Sequence, residues 1–402
     1  MDLENIALWA KKKGVRVMGT GDFTHPKWFQ EIKEKLEPAE QGLYKLKSGI
    51  GHPKSEIRFM LTAEISGIYS KNGKTRRVHN LIFAPSIETV EKINNKLQWI
   101  GNLKSDGRPI LGIDSKQLLR IVLDADPKSV LVPAHAWTPW FSVFGSMSGF
   151  DSIQECFDEM TPHIFAIETG LSSDPAMNWR LSQLDNISLI SNSDSHSLQK
   201  IVREANVFNC ELSYDGIIDA IKSRDPEKFL FTIEFFPEEG RYHWSGHRNC
   251  GISQGPEQTK KNKAVCPKCG KQLTIGVLDR IEALADKNPD ELNLKEKRVP
   301  YRSLIPLLEI IGAALGVGPA SKAVMNEYEK LVNNLENEIY VLLEATKENI
   351  AAFSNSKIAE AITRVREKKV SLTPGYDGEY GKIKIFEEGE TIKDESIQSS
   401  LF

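Results

Sequence analysis

At 402 residues, with 40% hydrophobic and 27% charged side chains, the chain can bury a large core and hold two or three domains. A formal net charge of −3 excludes wholesale electrostatic capture of DNA or RNA, so any nucleic-acid contact has to come from a local basic surface. The absence of any run of roughly 18 apolar residues excludes a bilayer-spanning helix.

The opening, MDLENIALWAKKKG, is interrupted by charge and amphipathic, unlike a signal peptide. From there to residue 235, short apolar runs alternate with helical patterns. Strands are expected at Val15–Met18, Ile57–Thr62, Val78–Phe83, Val130–Val132, Ile164–Ile167, Ile187–Ser191 and Phe229–Phe231, with helices over Ile87–Ile100 and Tyr214–Ser223. The alternation predicts an α/β domain over 1–235, built on a mainly parallel sheet and long enough to close as a barrel.

Several expected strands run into a metal-ligating residue. They lead to Asp22 (with His25 close behind), Glu64, His135, and the pair Asp194 and His196. Residues past the C-terminal ends of barrel strands converge on one rim. Carboxylates and imidazoles gathered there suit zinc, manganese or iron, which activate water and neutralise charge on a phosphate oxygen. Each residue alone reads equally as a cap or turn residue; convergence is what gives the set meaning. Asp194 and His196, two apart, can point to one side of an extended segment.

Residues 236–279 change character and read as a small module knit by metal. His247-x2-Cys250 and Cys266-x2-Cys269 are two close pairs, each able to grip one edge of a zinc tetrahedron; His243 is the alternative to His247. Cys156 and Cys210 read as bystanders. Five cysteines in all, two of them in CPKC, fit a reducing compartment better than a disulfide framework, so the expected location is the cytoplasm. Lys260, Lys261 and Lys263, with Arg241 and Arg248, can meet phosphates or simply be solvated.

Residues 280–402 read as a helical region, with a helix over Ser303–Leu315 and then one long helix whose apolar stripe runs from Leu331 to Phe353. Arg364, Arg366, Lys368 and Lys369 precede a Gly-rich turn, Gly375–Gly381, whose amides can hold phosphate or form a plain hairpin. The last dozen residues are expected to be loose.

Trp137 and Trp140 are candidates to stack on an extruded base. Glu168, Asn178 and Arg180 are candidates to read its edges.

The segments GTGDFTHP, LTAEISGIYS, VPAHAWTPWFSVFGS, IETGLSSDPAMNWR and SNSDSHS resemble the polymerase-and-histidinol-phosphatase (PHP) superfamily. More closely, with the cysteine module and the PGYDGEYG tail, the chain resembles the endonuclease Q family of DNA-repair nucleases. The resemblance implies a PHP-type distorted barrel, a zinc module and a helical C-terminal region. It implies hydrolysis of the phosphodiester 5′ of a deaminated base (uracil, hypoxanthine, xanthine) or an abasic site.

By the same resemblance Asp22, Glu64, His135, Asp194 and His196 are metal ligands, with Glu64, Asp194 and His196 central to catalysis. His25 and His79 are either ligands or structural. Two or three divalent cations (zinc, manganese or magnesium) would sit in the barrel and one structural zinc in the module. Damaged double- or single-stranded DNA is the expected partner, and a sliding clamp stays open as another. The family pattern begins with a strand ending in His-x-His, which this sequence lacks. The expectation is therefore an incomplete metal cluster, an open edge beside Val15–Met18 and impaired activity. A small-ester phosphatase and an inactive nucleic-acid-binding scaffold are the competing readings.

Overall fold

The computed structural model describes residues 2–50, 56–289, 298–387 and 389–390. All seven expected strand segments form strands, with shifted ends. In chain order the strands are β1 (Val17–Gly19), β2 (Leu36–Pro38), β3 (Tyr44–Leu46), β4 (Arg58–Lys71), β5 (Lys74–Ala84), β6 (Ile110–Leu111) and β7 (Val130–Pro133). These build one sheet in the order β2-β3-β4-β5-β7, with β1 and β6 also paired to β4.

This sheet corrects the expectation of mainly parallel pairing. β1 and β6 run parallel to β4, whereas the β2–β3, β3–β4, β4–β5 and β5–β7 pairs are antiparallel. The cause is local. Asn72 and Gly73, both with positive φ (53° and 70°), close β4 and β5 into a two-residue hairpin, and only such residues suit a turn of that hand. The hairpin carries register from Leu61↔Ala84 to Lys71↔Lys74.

Next come β8 (Ala166–Glu168) and β9 (Ser188–Ile190), a parallel pair, then β10 (Ala205–Phe208) antiparallel to β11 (Phe229–Glu234). Helices pack against these strands through stripes dictated by the sequence. Ser86 caps Ile87–Leu97, which buries Val90, Ile93 and Leu97. Ser213 caps Tyr214–Ser223, whose ends match the sequence expectation.

The C-terminal region is helical, as expected, but the single long helix is three: Lys322–Asn334, Glu338–Leu343 and Lys347–Phe353. Asn337 and Thr346 are the reason, since each side chain accepts the backbone N–H three residues on and starts a new helix. The apolar stripe still reaches the core, with Leu331, Leu342 and Ile350 buried, while Phe353 is exposed. The preceding helix starts at Leu307, just after Pro306, four residues later than expected. The Gly-rich turn closes a short hairpin, Ser371–Thr373 with Lys382–Lys384. The segment expected to be loose, 391–402, lies outside the described residues. Among those described, no helix is long and apolar enough to cross a membrane.

Candidate metal centre

The antiparallel register of β4 and β5 places Glu64 opposite Leu81 and Ser66 opposite His79. Alternation then puts Glu64 and His79 on one face as diagonal neighbours. β7 pairs with the other edge of β5, and His135 follows just beyond its end. Three donor atoms meet: His79 Nδ1 lies 2.9 Å from Glu64 Oε1 and 3.0 Å from His135 Nε2, and His135 Nε2 lies 3.3 Å from Glu64 Oε1. A cation bound at about 2.0–2.2 Å separates its ligands by roughly 3 Å. A proton on His79 can serve one of the two acceptors that face it; a shared cation serves all three.

The surroundings set His135 for this role. The Thr138 hydroxyl donates to the Trp140 carbonyl at 2.9 Å, so its oxygen accepts the Nδ1–H of His135 at 3.2 Å. That leaves a lone pair on Nε2, facing Glu64 and His79. Glu168 Oε2 accepts the backbone N–H of His135 at 2.7 Å, and Glu168 Oε1 accepts from Asn192. His135 sits at φ 29°, a conformation disfavoured for a side chain of its size. Gly170 is required beside it, because a Cβ there would lie 2.5 Å from His135 Cβ.

Electrostatics agree with the geometry. Burial pushes His79 down to about 4, so its imidazole is neutral near pH 7. Burial opposes charge on Glu64, yet the neighbouring His135 and His79 side chains hold its carboxyl well below the usual range. Glu168 is pushed up to about 7 by burial.

Of the expected barrel ligands, the structure gathers Glu64 and His135, joined by His79. Glu64 sits inside β4 instead of past its end. Asp22, Asp194 and His196 are not in the tight cluster. Burial, with the charges of Asp106 and Glu64, raises the Asp22 carboxyl. Asp194 and His196 point to one side, as expected, although Asp194 has φ 41°. The His196 side chain is 81% exposed, 3.4 Å from Asp194. Burial opposes charge on His135, but Glu64, Glu168 and Asp194 together raise its affinity for a proton.

Burial corrects three of the base-contact candidates. Trp137 is enclosed, stacked on Phe144 with its Nε1–H donated to Asn178 Oδ1 at 2.7 Å. Asn178 spends its amide on Ser173 and Asp174. Arg180 forks onto Glu282, pinning the helix Val277–Leu284. Glu168 is engaged behind His135, as described. Trp140 is half-buried, edge-on to Tyr242 at 5.6 Å.

In the cysteine module, donor atoms of His247, Cys250, Cys266 and Cys269 all lie within 4.8 Å of one another. Zinc bonds of about 2.0 Å to nitrogen and 2.3 Å to sulfur space their ligands by roughly 3–4 Å, so the set fits. Burial opposes the Cys266 thiolate, but backbone N–H groups of Cys269 and Lys268 and the His247 side chain bring its thiol down to about 6. His243 lies apart, its Nδ1 buried with no hydrogen-bond partner among the described residues. Lys260, Lys261, Lys263, Arg241 and Arg248 are exposed. Arg364 is held by Glu360 and Glu390, and Arg366 by the carbonyls of Val341 and Leu342, so these two tail cations serve packing, while Lys368 and Lys369 are exposed.

With the geometry in hand, known proteins can be set beside it. Residues 306–369 match the family model of the MJ0043 C-terminal domain. Protein MJ0043 of Methanocaldococcus jannaschii is 34% identical over 257 residues, which is 62% of this chain and 31% of that longer protein. Protein YqxK of Bacillus subtilis is 29% identical over 393 residues, covering 96% of this chain and 92% of its own. The crystal structure of the lesion-specific endonuclease PfuEndoQ from Pyrococcus furiosus superposes with a TM-score of 0.83 at 31% identity, covering 96% of this chain and 91% of that one. Endonuclease Q bound to a 27-mer duplex with an abasic lesion at its active site also gives 0.83 and 31%, covering 96% and 92%. A likeness of this extent, spanning sheet, cysteine module and C-terminal helices together, makes the chain a member of the endonuclease Q family.

Proposed function

We propose that this protein is a metal-dependent DNA-repair endonuclease that hydrolyses the phosphodiester 5′ of a deaminated base or abasic site. The observation that carries the proposal is the convergence of Glu64, His79 and His135 on one point, in a chain of this family. A divalent cation held there supplies positive charge against the phosphate and makes water more acidic. Asp22, Asp194 and His196 would complete a site for two or three ions. Hydrolysis forms one P–O bond to the water oxygen and breaks the P–O bond to the leaving sugar oxygen. One water proton ends on that oxygen and the other in solvent.

Around this centre the proposed architecture is a PHP-type distorted barrel over 1–235, a zinc module over 236–279 and a helical region over 280–402. The exposed cations Arg241, Lys260, Lys261 and Lys263 would meet backbone phosphates, and Trp140 would stack on an extruded nucleotide. Extrusion costs roughly a few kcal/mol, least for bases that are mispaired or missing.

The test is incubation with duplexes carrying uracil, hypoxanthine, xanthine or an abasic site, each with Mg²⁺, Mn²⁺ or Zn²⁺, and mapping of the nick. A nick on the 5′ side of the lesion, lost with chelator, is the expected result. Cleavage of small phosphate esters but not of these duplexes would make the chain a phosphatase. Duplex binding with no cleavage under any metal would make it a scaffold.

A further inference from the structure

The loop 102–109 lies between the helix Ile87–Leu97 and β6, and it carries a cation to the edge of the centre. Arg108 Nη1 lies 3.1 Å from Glu64 Oε2 and 3.3 Å from Glu64 Oε1. The backbone is pinned on both sides of it. Asp106 accepts the Arg108 N–H at 3.2 Å, the Gly107 carbonyl accepts from the Thr24 hydroxyl at 3.4 Å, and the Pro109 carbonyl accepts the Ser66 N–H at 3.0 Å. Gly107 rests so closely on Asp22 that an added Cβ would meet its carboxylate at 2.2 Å. The side chain, by contrast, keeps 35% of its surface open, and only its Nη1 has a hydrogen-bond partner among the described residues.

A guanidinium has five N–H donors in a planar fork that suits phosphate as well as carboxylate. Here its backbone is anchored, its Nη1 is parked on the carboxylate that faces His79 and His135, and its Nε and Nη2 have no hydrogen-bond partner among the described residues. A divalent cation at Glu64, His79 and His135 would repel it from that carboxylate. The pinned backbone leaves it the open side of the centre, where a phosphate would have to enter. We infer that Arg108 is a substrate-binding residue, which leaves Glu64 for a non-bridging oxygen of the phosphodiester once the centre is loaded. This rests on Glu64, His79 and His135 being the metal centre. In the unloaded chain Arg108 also competes with the ion for Glu64.

The experiment compares the full-length wild type with Arg108→Ala and Arg108→Lys, each stripped by chelator and given back zinc for the cysteine site. Three readouts are taken: Mn²⁺ affinity by calorimetry, affinity of the Mn²⁺-loaded protein for inorganic phosphate, and nicking of an abasic duplex. Arg108→Ala should bind Mn²⁺ at least as tightly as wild type, yet bind phosphate about tenfold or more weakly. Its nicking rate should fall about 10²–10³-fold, with partial recovery in Arg108→Lys.

Unchanged phosphate affinity overturns the inference. So does a loss of Mn²⁺ affinity large enough to account for the other losses, since Arg108 would then only support Glu64. A wild type that takes up no Mn²⁺ removes the centre, and this inference with it. A wild type that binds Mn²⁺ without nicking removes the nuclease proposal alone, and the phosphate readout still decides on Arg108.

Discussion

Lys13 Nζ lies 2.7 Å from Glu338 Oε2, with 0% and 1% of the two side chains open to solvent, and the pair ties the helix Leu3–Lys13 to the C-terminal helices. Lys13 also donates to the Gln199 carbonyl at 2.7 Å, on the turn that follows Asp194 and His196. Breaking a buried pair strands a charge. Lys13→Met should therefore cost roughly 3–5 kcal/mol in urea denaturation, and Lys13→Met with Glu338→Leu should recover much of it. Equal stability of wild type and single variant would show that the pair is not excluded from water in solution.

Thr138 fixes the His135 tautomer by accepting its Nδ1–H. Thr138→Val should weaken metal affinity about 10–100-fold, and Thr138→Ser should restore it. Calorimetric titration of the two variants with Mn²⁺ checks this, with melting curves to confirm that both are folded.

The Gly-rich turn braces the cysteine module. Asp377 accepts the backbone N–H of Arg248 at 2.6 Å and the Thr274 hydroxyl at 2.6 Å, and Arg248 lies between His247 and Cys250. Asp377→Ala should speed zinc release to a coloured chelator about tenfold or more, while metal affinity at Glu64 stays unchanged.

Burial, with the charges of Glu309 and Glu238 nearby, pushes Glu239 up to about 8. An acid raised on folding contributes stability that is whole below its ordinary range, near 4.5, and is lost as pH climbs through the raised value. Glu239→Gln removes that loss. Its melting temperature relative to wild type should rise steadily from about pH 5 to about pH 9; a flat difference would mean that Glu239 titrates normally.

Much of this was legible in the sequence, for physical reasons that differ residue by residue. The strands were readable because apolar runs end in turn residues, and Tyr214–Ser223 was readable to its ends because Ser213 starts it and Arg224, at φ 52°, stops it. The strand-helix alternation suggests parallel strands, but Asn72-Gly73, a strong hairpin signal, makes β4 and β5 antiparallel. His79, between Val78 and Asn80 in β5, stays open between ligand and structural residue until the cross-strand register brings Glu64 beside it. Arg108 carried no motif at all; only the fold brings its loop to β4. Trp137, Asn178 and Arg180 have the right chemistry for recognition, but one sequence does not reveal which side of a turn faces the interior.

The most direct test is anomalous diffraction from crystals grown with manganese and zinc. The account predicts a manganese peak about 2.0–2.2 Å from Glu64, His79 and His135, separate from a zinc peak among His247, Cys250, Cys266 and Cys269. A single peak at the cysteine module, with Glu64, His79 and His135 still hydrogen-bonded to one another, would contradict it.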